Sequence, residues 1–184
     1  MQSSLTITEN NKQQGSLTLG GYDTSRFLPS KNLTFPFYND VSRRFIVDLT
    51  AMTYIPTGVS TVTTSTTLAD KRISMYIDST IPYIYLPLDM CNKFESNFGL
   101  QYDEANEIYT INDTIHQSLL GMNPSLTFTL SDSKGNTLNI VLPYAAFDLT
   151  ATFPVVANDT KYFPLRRAAN DTQYTLGRVF LQEA

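Results

Sequence analysis

YIDSTIPYIYLP, residues 76–87, sets one carboxylate between two apolar runs. Ile77 leads into Asp78, the hydroxyl pair Ser79 and Thr80 follows, and an apolar run holding Pro82 and Pro87 comes next. The stretch reads as a strand-to-loop turn. Asp is ordinarily a turn former in such a place, because its side chain bonds nearby backbone N–H groups. The surrounding chain decides whether this one does more.

Outward from the turn the chain alternates. Leu33, Phe35 and Phe37 alternate with Thr34, Pro36 and Tyr38, and Phe45, Val47 and Leu49 with Ile46 and Asp48. Leu126, Phe128 and Leu130 alternate with Thr127 and Thr129, and Leu138, Ile140 and Leu142 with Asn139 and Val141. Such period-two runs put one set of side chains on a core face. Threonine is dense in VSTVTTSTTL, residues 59–68. β-branched residues fit strands and lose rotamer freedom in helices. Gly20-Gly21, Pro56-Thr57-Gly58 and the stretch from Ser131 to Gly135 separate the runs, and the last predicts a β-hairpin. One helix is predicted over 88–98, where Leu88, Cys91, Phe94 and Phe98 recur every three or four residues, Pro87 suits the first turn and Gly99 the end. A shorter helical turn is predicted at 116–120. Residues 1–14 read as a loose end, and the fold class is mainly β.

The chain has 184 residues, 42% hydrophobic and 16% charged, enough to bury a core as one domain or two small lobes. A net charge of -4 excludes nucleic acid as a partner, since that binding needs clustered Lys and Arg. The pairs Arg43-Arg44 and Arg166-Arg167 read as solvated surface. A single cysteine, Cys91, rules out an intrachain disulfide and alone leans towards a reducing compartment. Four Asn-x-Thr triplets, opening at Asn32, Asn112, Asn158 and Asn170, point instead to glycosylation. The balance favours a secreted or cell-surface protein. The polar N-terminus has no apolar signal core, and no apolar run approaches the roughly 20 residues that span a bilayer. A sequon-rich chain without a signal peptide is expected to lack its beginning.

No group of Cys, His and acidic residues has the makings of a metal site, and nothing calls for a cofactor. His116, near Asp113, reads as a surface or capping histidine, and no G-x-S-x-G turn accompanies it. Cys91 lies on the apolar face of the predicted helix and reads as a buried structural thiol. The glycine-rich segment from Gly15 to Gly21 lacks the Gly-Lys-Ser/Thr ending and the following helix of a phosphate loop. Asp78 remains.

Around Asp78 the sequence resembles the pepsin-like aspartic peptidases (peptidase family A1), especially their fungal members. GSLTLGGYDTSRF at 15–27 resembles the Gly-Gly-x-Asp segment that closes the family's N-terminal lobe, and RFIVDLTAM at 44–52 the central strand where the lobes join. YIDST at 76–80 occupies the place of the second apolar-apolar-Asp-Thr/Ser-Gly motif. NPSLTFTL at 123–130 resembles the strand after that lobe's short helix, and YTLGRVFLQEA at 174–184 the apolar-apolar-Gly segment that passes near the catalytic loop. The resemblance covers roughly residues 15–184. It implies one lobe, the C-terminal one, of a pepsin-like β-barrel fold with one or two short helices, truncated at both ends. It also implies that Asp78 is the catalytic-type aspartate and that Ser79, Thr80, Leu176 and Gly177 belong to the active-site loop. In the family two aspartates share a proton and a water molecule, and their proximity pushes their pKa values apart. The base activates water for direct attack on the peptide carbonyl. The implied partner is a peptide or protein substrate when an N-terminal lobe is present. A lobe standing alone is expected to self-associate through the face that meets its counterpart.

The chain departs from the family pattern in three ways. It carries one motif, and a lone carboxylate cannot form the dyad. The motif reads Asp-Ser-Thr, so Thr80 puts a Cβ where the family's glycine lets the backbone pass close, while Ser79 keeps the hydroxyl that ties the family's two loops. Arg178 stands where Asp or Asn is common, and the chain ends at Ala184, short of the family's further strands. The expectation is a peptidase lobe inactive on its own. The alternative is a non-catalytic relative with a binding or cell-surface structural role. A homodimer in which each chain supplies one Asp78 ranks last, because the chain is longer than that architecture needs.

Overall fold

The computed structural model describes residues 3–6, 16–19, 21–26, 33–35, 45–56 and 65–183. β1 (Ser3–Thr6) pairs antiparallel with β2 (Ser16–Leu19), and β1 lies inside the segment read as a loose end. β3 (Ile46–Ile55) buries Val47 and Leu49 and, past a shift in register, Met52 and Tyr54. β4 (Thr66–Ala69), β5 (Ile73–Ile77) and β6 (Ile84–Leu86) lead to α1 (Leu88–Phe98). β7 (Gln101–Asp103), β8 (Ile108–Thr110) and α2 (Asp113–Met122) follow. β9 (Ser125–Ser131) and β10 (Thr137–Pro143) precede a 3-10 turn at Tyr144–Phe147. β11 (Leu149–Ala151), β12 (Thr160–Phe163), β13 (Leu165–Arg167), β14 (Thr175–Leu176) and α3 (Arg178–Glu183) complete the described elements.

The larger sheet runs β10-β9-β3-β5-β14-β6-β13, with β4 also paired to β3; the smaller runs β11-β12-β8-β7. The expected β9–β10 hairpin is present, with Leu130 opposite Leu138 and Phe128 opposite Ile140. Asp132 holds its turn by accepting from the N–H groups of Lys134 and Asn136 at 2.8 and 2.9 Å. Gly135 there has φ 83°, a left-handed conformation that glycine adopts without a Cβ clash.

α1 matches its predicted span and ends on Gly99 at φ 66°. Its buried face is Met90, Cys91, Phe94 and Phe98; Leu88, expected on that face, is 51% exposed. α2 is longer than expected. Asn112 caps it, accepting the Ile115 N–H at 2.9 Å, and Asn123 closes it at φ 40°. The alternation at 33–38 does not give a strand over 33–35, although Leu33 and Phe35 pack against the core. Pro36 lacks a ladder donor and restricts its neighbour, which physically opposes pairing there. Residues 36–38, 59–64 and Arg43-Arg44 lie outside the described residues.

The two sheets are joined through aromatic rings. Phe98 lies 4.7 Å from Tyr54 of β3 and 5.2 Å from Phe163 of β12, ring centre to ring centre. Phe163 in turn stacks on Phe147 at 4.9 Å. Phe98→Ala is therefore expected to cost about 3–5 kcal/mol in urea unfolding. Phe153→Ala, at a side chain 82% exposed, should stay within about 0.5 kcal/mol. Equal effects would show that the cluster does not join the sheets.

Candidate active site

β5 and β6 flank the Asp78 turn, yet they do not pair with each other. β14 lies between them, parallel to β5 and antiparallel to β6. The turn must therefore cross two inter-strand spacings of about 4.7–4.9 Å, which no two-residue hairpin does. The chain leaving β14 fills the space beneath it. Leu176 C=O accepts the Asp78 N–H at 3.2 Å, and the Arg178 N–H donates to Ile81 C=O at 2.7 Å. Gly177 sits between these bonds. A Cβ there would lie 2.1 Å from the Tyr83 carbonyl oxygen and 2.4 Å from that of Ile81. Glycine is needed for backbone approach, not for a positive φ.

Asp78 is half-buried. Its Oδ1 accepts the Thr80 N–H at 2.8 Å and the Thr80 hydroxyl at 2.6 Å. Among the described residues no other donor reaches this carboxylate, and the half-buried Ser79 hydroxyl takes no partner. Thr80 is exposed and does not adopt a positive φ, so the turn accommodates its side chain. The structure thus brings Asp78, Thr80, Leu176 and Gly177 together, with Ser79 in the same turn. The sequon residues stand apart from it. Asn112 caps α2, Asn158 precedes β12, and Asn170 caps a 3-10 turn at Asp171–Gln173. All three are exposed, and Asn32 lies outside the described residues.

Strand register also places side chains that the sequence reading passed over. Ile77, Leu176, Ile84 and Leu165 form one row on the core side. The next row, Tyr76, Thr175, Tyr85 and Arg166, alternates to the opposite face. There the Arg166 guanidinium lies 4.3 Å over the Tyr83 ring, and Tyr83 meets Tyr85 and Tyr162 edge-on at 6.4 and 6.3 Å. The available signal was the alternation of Tyr83 and Tyr85 with Ile84 and Leu86 in the opening stretch.

The arginine pair is not solvated surface, which corrects the expectation. Arg166 also bonds Glu107 at 3.1 Å and the Asn106 carbonyl at 3.3 Å. Arg167 bonds Glu95 and the Tyr109 hydroxyl, both at 2.8 Å, and lies 3.6 Å over the Tyr102 ring. Charge-assisted bonds and ring stacking hold both guanidinium groups against the protein. Burial raises the Tyr109 hydroxyl above its ordinary range, although Arg167 opposes this. Cys91 is fully buried, and burial pushes its thiol up to about 12, so it is a structural thiol. His116 corrects a second expectation. It neither caps α2 nor lies on the surface: it is buried, with Nε2 2.9 Å from Asp148 Oδ1.

The profile of the eukaryotic aspartyl protease family matches residues 3–184. The chain belongs to that family. Among solved structures, the aspartic proteinase from Irpex lacteus superposes with a TM-score of 0.60 at 14% identity, over 98% of this chain and 51% of that one. This aspartyl protease chain thus spans about half the length of that proteinase and shares its pepsin-like fold. No curated protein matches the chain.

Gly177→Ala in this aspartyl protease fold should destabilise by about 3 kcal/mol, the upper end of the usual overpacking range, because the clash is with backbone that cannot rotate away. Gly121→Ala, in α2 with nothing within 4 Å of the added carbon, should stabilise by up to about 1 kcal/mol. Chemical unfolding of the two variants measures both; a tolerated alanine at 177 would refute the threaded turn.

Proposed function

We propose that residues 15–184 are the C-terminal lobe of a pepsin-like aspartic endopeptidase and that Asp78 is the lobe's catalytic-type carboxylate. The observation that carries this reading is the braced turn. In a chain of the aspartyl protease family, Asp78 is held at a strand end by the Leu176-to-Arg178 backbone, over a glycine that no other residue can replace.

Hydrolysis by this chemistry needs two carboxylates. One must be ionised to take a proton from water while the other donates one to the peptide carbonyl. Asp78 can fill one role at a time, so the second carboxylate has to come from another lobe or another chain. The substrate is a peptide or protein held between the two. The face that would meet the counterpart lobe is also where the lobe is expected to self-associate when alone. A second reading, a non-catalytic homologue with a binding or cell-surface structural role, is favoured by one contact. The Thr80 hydroxyl and N–H both occupy Oδ1 of Asp78, the type of acceptor a catalytic water requires.

The purified chain should give no pepstatin-sensitive cleavage of a protein substrate at about pH 3–5, where one carboxyl of a dyad is protonated. Cleavage that Asp78→Asn abolishes would overturn this. Coding sequence upstream with a further Asp-Thr/Ser-Gly would favour the peptidase reading, and a motif there without Asp the non-catalytic one.

Secretion or cell-surface display is part of the same proposal. Exposure of Asn112, Asn158 and Asn170 supports it, and no helix among the described residues is long and apolar enough to cross a membrane. Expressed in a secreting eukaryotic host, the chain should lose mass on endoglycosidase treatment, and replacing these three Asn by Gln should remove most of that loss. An unchanged mass would favour a cytosolic protein.

A further inference from the structure

A partly buried polar cluster lies away from the Asp78 turn. His116 of α2 is 7% exposed, with Nε2 2.9 Å from Asp148 Oδ1. Lys161 of β12 donates from Nζ to the same oxygen at 3.3 Å. Tyr144, 2% exposed, closes the group: its ring centre is 6.5 Å from that of His116, and its hydroxyl has no partner among the described residues. Asp148 is therefore faced by His116 from α2, Lys161 from β12 and Tyr144 from the 3-10 turn. Asp113, one turn earlier on α2, is exposed.

Position gives this cluster its role. Leu119 is fully buried on α2 and Ile115 and Met122 pack half-buried against the core, and His116 is the buried polar residue of the helix. The sole cysteine is Cys91, buried in α1, so no intrachain disulfide can tie α2 to its neighbours. One carboxylate oxygen instead takes two donors from separate elements. Bonds to an ionised acceptor are roughly twice as strong as neutral ones, and partial burial limits their screening. We propose that His116, Asp148 and Lys161 form an acid-released clasp that fastens α2 to the β11–β12 ladder.

The direction of the pH response follows from the same contacts. Burial acts to raise the Asp148 carboxyl, but the bonds from His116 and Lys161 outweigh it and hold it below its ordinary value. A carboxyl lowered by folding contributes stability above its unfolded value, and that contribution is lost as pH falls through the folded one. The clasp therefore stays closed through mild acid and opens only below the ordinary carboxylate range near 3.9, roughly. Once Asp148 is protonated, the bonds from His116 and Lys161 lose the ionised acceptor that strengthens them. Acid is then expected to loosen α2 ahead of the central strand β3.

Hydrogen exchange by NMR, read as protection factors at about pH 6 and about pH 3, tests the clasp. Between these conditions α2 and β12 should together lose about tenfold more protection than β3. Asp148→Asn should show that loss already at the higher pH, with no further relative loss at the lower. Lys161→Met, made in β12, should lower protection in α2 as well. Uniform loss across α2, β12 and β3, or unaltered α2 protection in Asp148→Asn, overturns the proposal. If Asp148→Asn does not fold, Lys161→Met decides alone: reduced α2 protection supports the clasp, and unaltered protection refutes it.

Discussion

The passage of the Leu176-Gly177-Arg178 backbone beneath the Asp78 turn is the constraint on which the rest depends. Two hydrogen bonds, from the Asp78 N–H to Leu176 and from the Arg178 N–H to Ile81, hold the turn on both sides of Gly177. The carbonyl groups of Ile81 and Tyr83 come so close to Gly177 that a single added carbon would overlap them. Because β14 separates β5 from β6, the Asp78 backbone is fixed by a residue almost a hundred positions later in the chain, while its carboxylate is held within the turn by Thr80. The long-range closure places the Asp78 backbone, and the bonds from Thr80 orient its side chain as in an ordinary Asp turn.

Placement is not the same as function. Thr80 binds Asp78 within the turn by both its N–H and its hydroxyl, so one carboxylate oxygen is already satisfied. An acid–base dyad needs a second carboxylate close enough to share a proton, and the chain spans about half of the proteinase it resembles. The peptidase reading and the non-catalytic reading therefore share one structure and differ in what faces Asp78.

Much of the fold was legible where side-chain periodicity is set by burial on one face. β9 and β10 alternate, β3 does so on either side of a bulge, and α1 carries its apolar stripe between Pro87 and Gly99. The approach of Leu176 to Asp78 was implied by the family resemblance and not by any periodicity. Features without periodicity were not legible. β14 is two residues long, too short to show alternation, yet it organises the site. His116 looked like a surface histidine because its partner, Asp148, is 32 positions away. Arg166 and Arg167 looked solvated because the rings and carboxylates that hold them come from Tyr83 ahead of β6, from α1 and from the β7–β8 region. Polar side chains are placed by tertiary partners, and local sequence carries little record of those partners.

Amide exchange at Asp78 and Arg178 tests the braced turn most directly. Both N–H groups bond across the turn rather than within it, so they should exchange only when the fold opens globally, with protection equal to that of the β3 and β9 amides. Exchange of either amide at the rate of an exposed loop would contradict the account.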